Sequence, residues 1–299
     1  MITIRYRGGI GNKFFVYCYG RILAERFGYS LSCMPILGYS NTKQIGGSGY
    51  NKDFVKMTFG NMKEIVSDLE KQKNHKILMS ISIQRYNLYK DYKKEIKNWL
   101  KPDLKIINGN LSNLDFRTKK DGVFKKVTVD KIEEDDVVII QRLKNFVDLR
   151  CDMKFGYFNT ILKKIKYKRL FIISDELESD FFDQFADYQP IYLFGDPFVH
   201  YVFPSLFKKM IIAQSTFSWW IAWLSDAKEI YFPFSASGYW SPRYLKHKHV
   251  NLIVDEDRYK MVREFPKASD FNFVDKTEVL NSIVEEPLIA GSRHSHPDW

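Results

Sequence analysis

Residues 210–232 read MIIAQSTFSWWIAWLSDAKEIYF. Met210–Ala213 is an apolar run of strand length, Gln214–Thr216 a polar turn, and Phe217–Leu224 an apolar run of helix length. Glu229–Phe232 is a second strand-like run, met by Pro233. Strands covered on both faces read as continuous apolar runs, so strand, helix and strand in this order predict a parallel α/β sheet. The same alternation extends upstream. Val137–Ile140 (VVII) follows the acidic Glu133–Asp136, Phe158–Ile165 reads as a helix, and Arg169–Ser174 (RLFIIS) as the next strand. Ile191–Phe194 is a further strand and Pro197–Lys209 is helical in pattern.

A second series opens the chain. Ile2–Tyr6 alternates apolar and polar residues before the turn Gly8-Gly9-Ile10-Gly11-Asn12. Phe14, Phe15, Tyr17, Cys18, Ile22 and Leu23 then recur at helical spacing as far as Phe27-Gly28, and Ser30–Ile36 reads as a strand. Asn41–Gly49 is loop-like, Phe54–Leu69 and Tyr89–Leu100 are helical in period, Ile77–Ile83 is a strand, and Pro102 closes the second helix. Ile106–Asp130 is polar and is expected to wind between two lobes. Beyond Asp257 only Lys276–Val284 carries a helical pattern, and the final GSRHSHPDW is expected to be disordered or tag-like. The expected organisation is an acceptor-side domain over 1–135, a ligand-binding domain over 136–260 and an extension over 261–299.

Composition narrows the partners. With 299 residues and 45% hydrophobic content the chain can bury one full core or two modest ones. Aromatics reach 16%, which suits sugar-binding surfaces and equally a Phe/Tyr-rich codon bias. A net charge of +10 and a pI near 9.2 attract polyanions, including diphosphate substrates and an anionic membrane surface. Nucleic acid is set aside, because neither zinc-finger spacing nor an RNA-binding aromatic signature is present. The basic run Lys163–Arg169 is expected to be a solvated helix end. Three scattered cysteines, Cys18, Cys33 and Cys151, argue for a reducing compartment without a disulfide framework. The start MITIRYRGG lacks an apolar signal core and no run of 18 apolar residues appears, so the expectation is a soluble, cytoplasmic protein that can lie against a membrane.

Four constellations could carry chemistry. The glycines Gly8, Gly9 and Gly11 between strand and helix let a ligand approach the backbone, and Asn12 can cap the helix or reach a substrate oxygen. A plain tight turn is the alternative; neither the dinucleotide spacing nor the Walker lysine is present. Gln214, Ser215, Thr216, Phe217 and Ser218 sit where a strand runs into a helix, and hydroxyls with helix-start N–H groups there suit a pyrophosphate. An ordinary Ser/Thr cap with core tryptophans fits that pattern equally well. Arg142, two residues past Val137–Ile140, offers a planar fork for paired phosphate oxygens, or simply faces solvent. Asp175 and Glu176 close the strand ending at Ser174 and could meet a ribose, a base edge or an acceptor hydroxyl, or cap a helix. No spacing singles out a general base among Asp148, Asp152, Asp175 and Glu176. The pairs that could suggest a metal site, Asp135-Asp136 and Asp255-Glu256-Asp257, are expected to be solvated acids, so no metal is expected.

At these segments the chain resembles the α-1,2-fucosyltransferases (glycosyltransferase family 11). Their opening GGLGNQ-like turn is similar to GGIGNKFFVYCYGRILAERFG here, and their NSSFSWWAAWL-like element to QSTFSWWIAWLSDAKEIYFP. Ile81–Leu100 is similar to their Phe-Gln-x-x-x-Tyr-Phe helix and FIISDELESDFF to their FSDD strand end, so the likeness covers roughly residues 2–240. The resemblance implies a GT-B-like fold of two Rossmann-like domains with a cleft between them. It also implies metal-independent, inverting transfer of fucose from GDP-fucose to a glycan acceptor, without a cofactor. Arg142 would match the first arginine of the family's His-x-Arg-Arg-Gly-Asp segment, residues Ser215–Ser218 the element gripping the diphosphate, and Gly9, Gly11 and Asn12 the N-terminal turn. The chain departs from the family at Ile140, in place of that histidine, and at Leu143-Lys144-Asn145, in place of Arg-Gly-Asp. His200 stands where the family has its guanine-reading aspartate, which leaves another nucleotide sugar open as donor.

Overall fold

Burial on both faces explains the strands that carry the larger sheet. The computed structural model describes residues 1–39, 41–42, 54–59, 61–71, 76–102, 111–144, 153–234, 250–265 and 270–281. It divides into two units, Met1–Asp103 with His247–Leu252 and Glu285–Trp299, and Leu104–Lys246 with Ile253–Val284.

In the first unit β1 (Ile2–Ile4) is followed by α1 (Ile10–Phe27), β2 (Leu31–Ser32), β3 (Val55–Met57), α2 (Met62–Glu70) and β4 (Ile77–Met79). The four strands are parallel in the order β2-β1-β4-β3. α1 ends where Gly28 takes a left-handed φ of 70°, a backbone that glycine adopts without cost. β5 (Gln84–Arg85) pairs with β13 (Val250–Asn251), and α3 spans Lys93–Trp99.

The second unit is built on nine strands: β6 (Asp115–Lys120), β7 (Val123–Val127), β8 (Val137–Gln141), β9 (Leu170–Ser174), β10 (Ile191–Phe194), β11 (Lys209–Ile212), β12 (Glu229–Phe234), β14 (Tyr259–Phe265) and β15 (Asp270–Val274). Its helices are α4 (Phe155–Leu162), α5 (Pro197–Val202), α6 (Thr216–Leu224) and α7 (Lys276–Asn281). The order is β15-β14-β12-β11-β8-β9-β10-β6-β7, with the six strands from β14 to β10 parallel. Counted along the chain, those six run 3-2-1-4-5-6, the order of a doubly wound sheet, and it reverses between β8 and β11. Val137, Ile139 and Ile211 pack with Tyr157, Phe158 and Ile161 of α4. Phe171 turns to the other face, against Phe203 and Phe207.

Several expectations change. Phe54–Leu69 is a strand and then a helix, because Asn61 Oδ1 accepts from Thr58 N at 2.7 Å and turns the chain between them. Ser30–Ile36 and Ile77–Ile83 shorten to β2 and β4, and Tyr89–Leu100 is a 3₁₀ turn over Lys90–Tyr92 that becomes α-helical at Lys93. In Pro197–Lys209 the α-helix stops at Val202; Pro204, which has no N–H to donate, lies in a 3₁₀ turn, and β11 starts at Lys209. The polar stretch 106–130 holds a hairpin, β6–β7, turned by Asp121 and Gly122 at φ 52° and 78°. That hairpin pairs with β10, so it belongs with the second unit instead of the domain expected over 1–135. Beyond Asp257 lie two unexpected strands, β14 and β15. Residues 43–49, Asp148, Cys151, Asp152, the aromatic loop from 235 to 240 and the final nine residues lie outside the described residues.

The acidic run is not merely solvated. Glu133 pairs with Lys168 at 2.7 Å, Glu134 with Lys228, Asp135 with Lys209 at 2.8 Å, and the fully buried Asp136 with Arg169. Lys168 and Arg169 precede β9, Lys209 starts β11 and Lys228 precedes β12, so one acidic turn clamps the amino ends of four adjacent strands. Lys168 and Arg169 are therefore structural cations and not part of a solvated helix end. Among the described residues no group of three His, Cys, Asp or Glu is arranged to hold a metal, and no helix is long and apolar enough to cross a membrane.

Candidate functional site

The strand order reverses between β8 and β11, and open α/β sheets bind ligands beyond the carboxyl ends of the strands at such a point. Gln141 ends β8 and is followed by Arg142; Ile212 ends β11 and is followed by the polar turn leading into α6. Both sequence candidates thus flank the switch point.

Arg142 is held from one side. Its Nε lies 3.1 Å from Asp175 Oδ2 as an ion pair without the alignment of a hydrogen bond, and its guanidinium carbon sits 5.5 Å from the Phe217 ring centroid. With the side chain 30% exposed, its two terminal nitrogens have no hydrogen-bond or ion-pair partner among the described residues. A guanidinium fixed at Nε and on a ring face presents its remaining N–H fork to a bidentate anion. Asp175 Oδ1 accepts from Leu143 N at 2.9 Å and Lys144 N at 3.4 Å, so this carboxylate ties the loop after β8 to the end of β9. It positions the arginine; its two oxygens are occupied by those contacts. The Glu176 side chain is exposed, and only its backbone bonds nearby, its N–H to Ser174 Oγ and its carbonyl to Ser179 N.

α6 begins on Ser215, whose hydroxyl accepts from Phe217 N at 3.2 Å. Ser218 is fully buried, with its hydroxyl on the carbonyls of Ala213 at 2.7 Å and Ser215 at 2.9 Å. The capping reading therefore holds for Ser215, the Ser218 hydroxyl is spent as a donor to two carbonyls, and the half-exposed Thr216 is the hydroxyl of this turn nearest solvent. Trp219, Trp220 and Trp223 pack on one another in the core, with ring centroids 5.0 to 5.5 Å apart, and fix the helix from behind. Gln214, just past the end of β11, is 2% exposed and its Nε2 has no hydrogen-bond partner among the described residues.

His200 is buried in α5 with Nε2 3.1 Å from the Leu193 carbonyl, which places the proton on Nε2. Burial, with help from the nearby Arg142 charge, lowers its pKa, while the Leu193 carbonyl and Asp196 pull it back. The ring is thus neutral at pH 7, with a lone pair on Nδ1. Its neighbour Tyr201 packs edge-on against Phe217 at 5.8 Å, so α5 and α6 brace each other.

The glycine turn belongs to the first unit. Gly8 has φ 72°, and a Cβ there would lie 2.8 Å from Asn12 Nδ2. Gly9, not Asn12, caps α1, with nothing within 4 Å of an added Cβ. Gly11 is buried in the first turn, and Asn12 Oδ1 accepts from Gln84 Nε2 at 3.4 Å. Gly8→Ala should cost about 1–2 kcal/mol from its left-handed backbone alone. Gly9→Ser supplies a favoured cap and should melt no lower than the parent. A loss of ligand binding confined to Gly9→Ser would locate a ligand over the turn; unchanged binding would remove the turn from the site.

The acids weighed as metal ligands are engaged otherwise. Asp255 and Asp257 both pair with Lys276, at 3.0 and 3.2 Å, and Glu256 holds Arg258 at 2.6 Å and Trp223 Nε1 at 3.1 Å. Sequence reasoning passed over Tyr201, which braces α6, and Gln84, which meets Asn12 and lies in a segment already set against the fucosyltransferases. Comparison with protein-family models, with curated proteins and with solved structures returns no match for this chain.

Proposed function

We propose that the chain is a glycosyltransferase that takes its sugar from a nucleoside-diphosphate donor, with GDP-fucose as the leading donor and a glycan hydroxyl as acceptor. The reading rests on one observation: a guanidinium with its fork open stands at the switch point of the second unit, against Phe217 of the helix that starts on Ser215. In the proposed reaction an acceptor oxygen attacks the anomeric carbon and the bond from that carbon to the diphosphate oxygen breaks. The acceptor proton goes to solvent or a base. Negative charge grows on the departing β-phosphate, so fixed cationic and N–H donors placed there lower the barrier most. Arg142 supplies the paired contact, the start of α6 the dipole, and Gln214 Nε2 a further donor. Asp175 keeps the fork aimed. The α-1,2 linkage and the GT-B arrangement come from the family resemblance and are part of this proposal.

His200 favours keeping the nucleotide open: a neutral imidazole offers one acceptor nitrogen, where an aspartate would accept two guanine N–H groups. A thermal-shift series with GDP, UDP, CDP and dTDP decides between them, because a ligand that binds only the native state raises its melting point. GDP should give the largest rise. A rise with UDP alone would replace the donor and keep the site; no rise with any of the four would remove the donor-site reading.

A further inference from the structure

The positive charge of this protein is confined to one part of it. Residues 1–103 hold 18 Lys and Arg against eight Asp and Glu, already the full +10, while the remaining 28 and 28 cancel. In the second unit many of the cations are paired, as in the clamp at the amino ends of its strands. In the first unit Arg5 and Arg7 are exposed just beyond β1, and Lys13 lies in the first turn of α1. None of these three side chains has a hydrogen bond or ion pair among the described residues.

Beside them lies apolar surface. β2 runs parallel to β1 with Thr3 opposite Ser32, so Met34 follows β2 by the same two residues by which Arg5 follows the Thr3 position. The Tyr6 phenol, pushed up first by burial and then by the Cys33 thiol beside it, marks the seam between the two segments. Past that seam Met34 is 76% and Leu37 94% exposed, the two most exposed large apolar side chains of the described residues. Cations without a partner among the described residues, at the dipole-positive end of an 18-residue helix and in register with the strand that leads to Met34 and Leu37, match an interface that is anionic above and hydrocarbon below.

We infer that the carboxyl-end face of the first unit, with Arg5, Arg7 and Lys13 beside Met34 and Leu37, docks on an anionic lipid bilayer. The arginines meet headgroup phosphates and the two apolar side chains enter the acyl boundary. Arg7 and Lys13 flank the glycine turn weighed above as a ligand site, whereas Arg142 and the Ser215 turn lie in the second unit, so flotation and the nucleotide thermal shift are read separately.

The test is flotation of the full chain with vesicles of phosphatidylcholine alone or with phosphatidylglycerol added. The chain should float only with the anionic vesicles, and less so as salt is raised. Arg5→Ala and Arg7→Ala should each weaken partition about fivefold. Leu37→Asp should weaken it about tenfold or more, since a large apolar side chain is then kept in water. Leu37 is almost fully exposed, so Leu37→Asp should melt with the parent and keep its nucleotide thermal shift. Equal flotation with both vesicle types, no flotation with either, or unchanged binding by Leu37→Asp would each overturn the inference. Retention on heparin that phosphatidylglycerol vesicles fail to compete would assign the cations to a soluble polyanion and overturn it as well.

Discussion

Arg142→Ala should lose about 10²–10³ in transfer rate, the usual cost of removing one preorganised donor to a developing oxyanion. The fold should tolerate the change. Arg142 is partly exposed, its Nε–Asp175 contact is a poorly aligned ion pair, and Asp175 keeps the N–H of Leu143 after truncation. Arg142→Lys restores a charge without the fork, so it should recover only part of the rate. Asp175→Asn separates positioning from contact: the amide oxygen can still accept from Leu143 N, but the charge that aims Nε is gone. Initial rates of donor consumption, with melting curves for all three variants, check these statements. Turnover of Arg142→Ala within about threefold of the parent would contradict a donor role of the size expected here.

Asp136→Ala should destabilise the second unit by about 3 kcal/mol, the low end for removing one partner of a buried pair, because Arg169 is partly exposed and can rehydrate. Asp136 also accepts from Glu133 N at 2.8 Å, so its loss frees the acidic turn itself. For a unit of this size that corresponds to a fall in melting temperature of about 6–12 °C. Asp135→Ala removes a pair whose carboxylate is mostly exposed and should lower the melting temperature far less than Asp136→Ala does. Acid should act on the same clamp. Lys168, Lys228 and Lys209 hold the carboxyls of Glu133, Glu134 and Asp135 below their ordinary values. Groups lowered in the folded state add stability above their unfolded pKa and lose it as pH falls through the folded one, so melting temperature should drop on acidification below the ordinary carboxylate range. Equal melting of the Asp136 and Asp135 variants would refute the clamp.

The central strands were legible because each is apolar on both faces: VVII and LFII admit few other readings. The hairpin at β6–β7 was missed since FRTKK and FKKV are polar, half-exposed sequences at the end of the sheet, with β7 its edge, although Asp121-Gly122 was its turn signal. β14 and β15 have mixed sequences that become strands only against β12 and each other. At the site, Arg142 and the α6 turn could be named from their places after strands. What aims the arginine could not, since Asp175 lies 33 positions on and meets it only because β8 and β9 are neighbours.

Local chemistry alone therefore determined the parallel α/β character, the start of α6 on Ser215 and the candidacy of Arg142, because propensity, capping and burial act over a few residues. Strand order decided the rest. It placed the reversal between β8 and β11, turned an acidic run into a clamp on strands far apart in sequence, and brought Asp175 to Arg142. Those outcomes depend on which strands lie side by side, a choice made by the packing of the whole sheet.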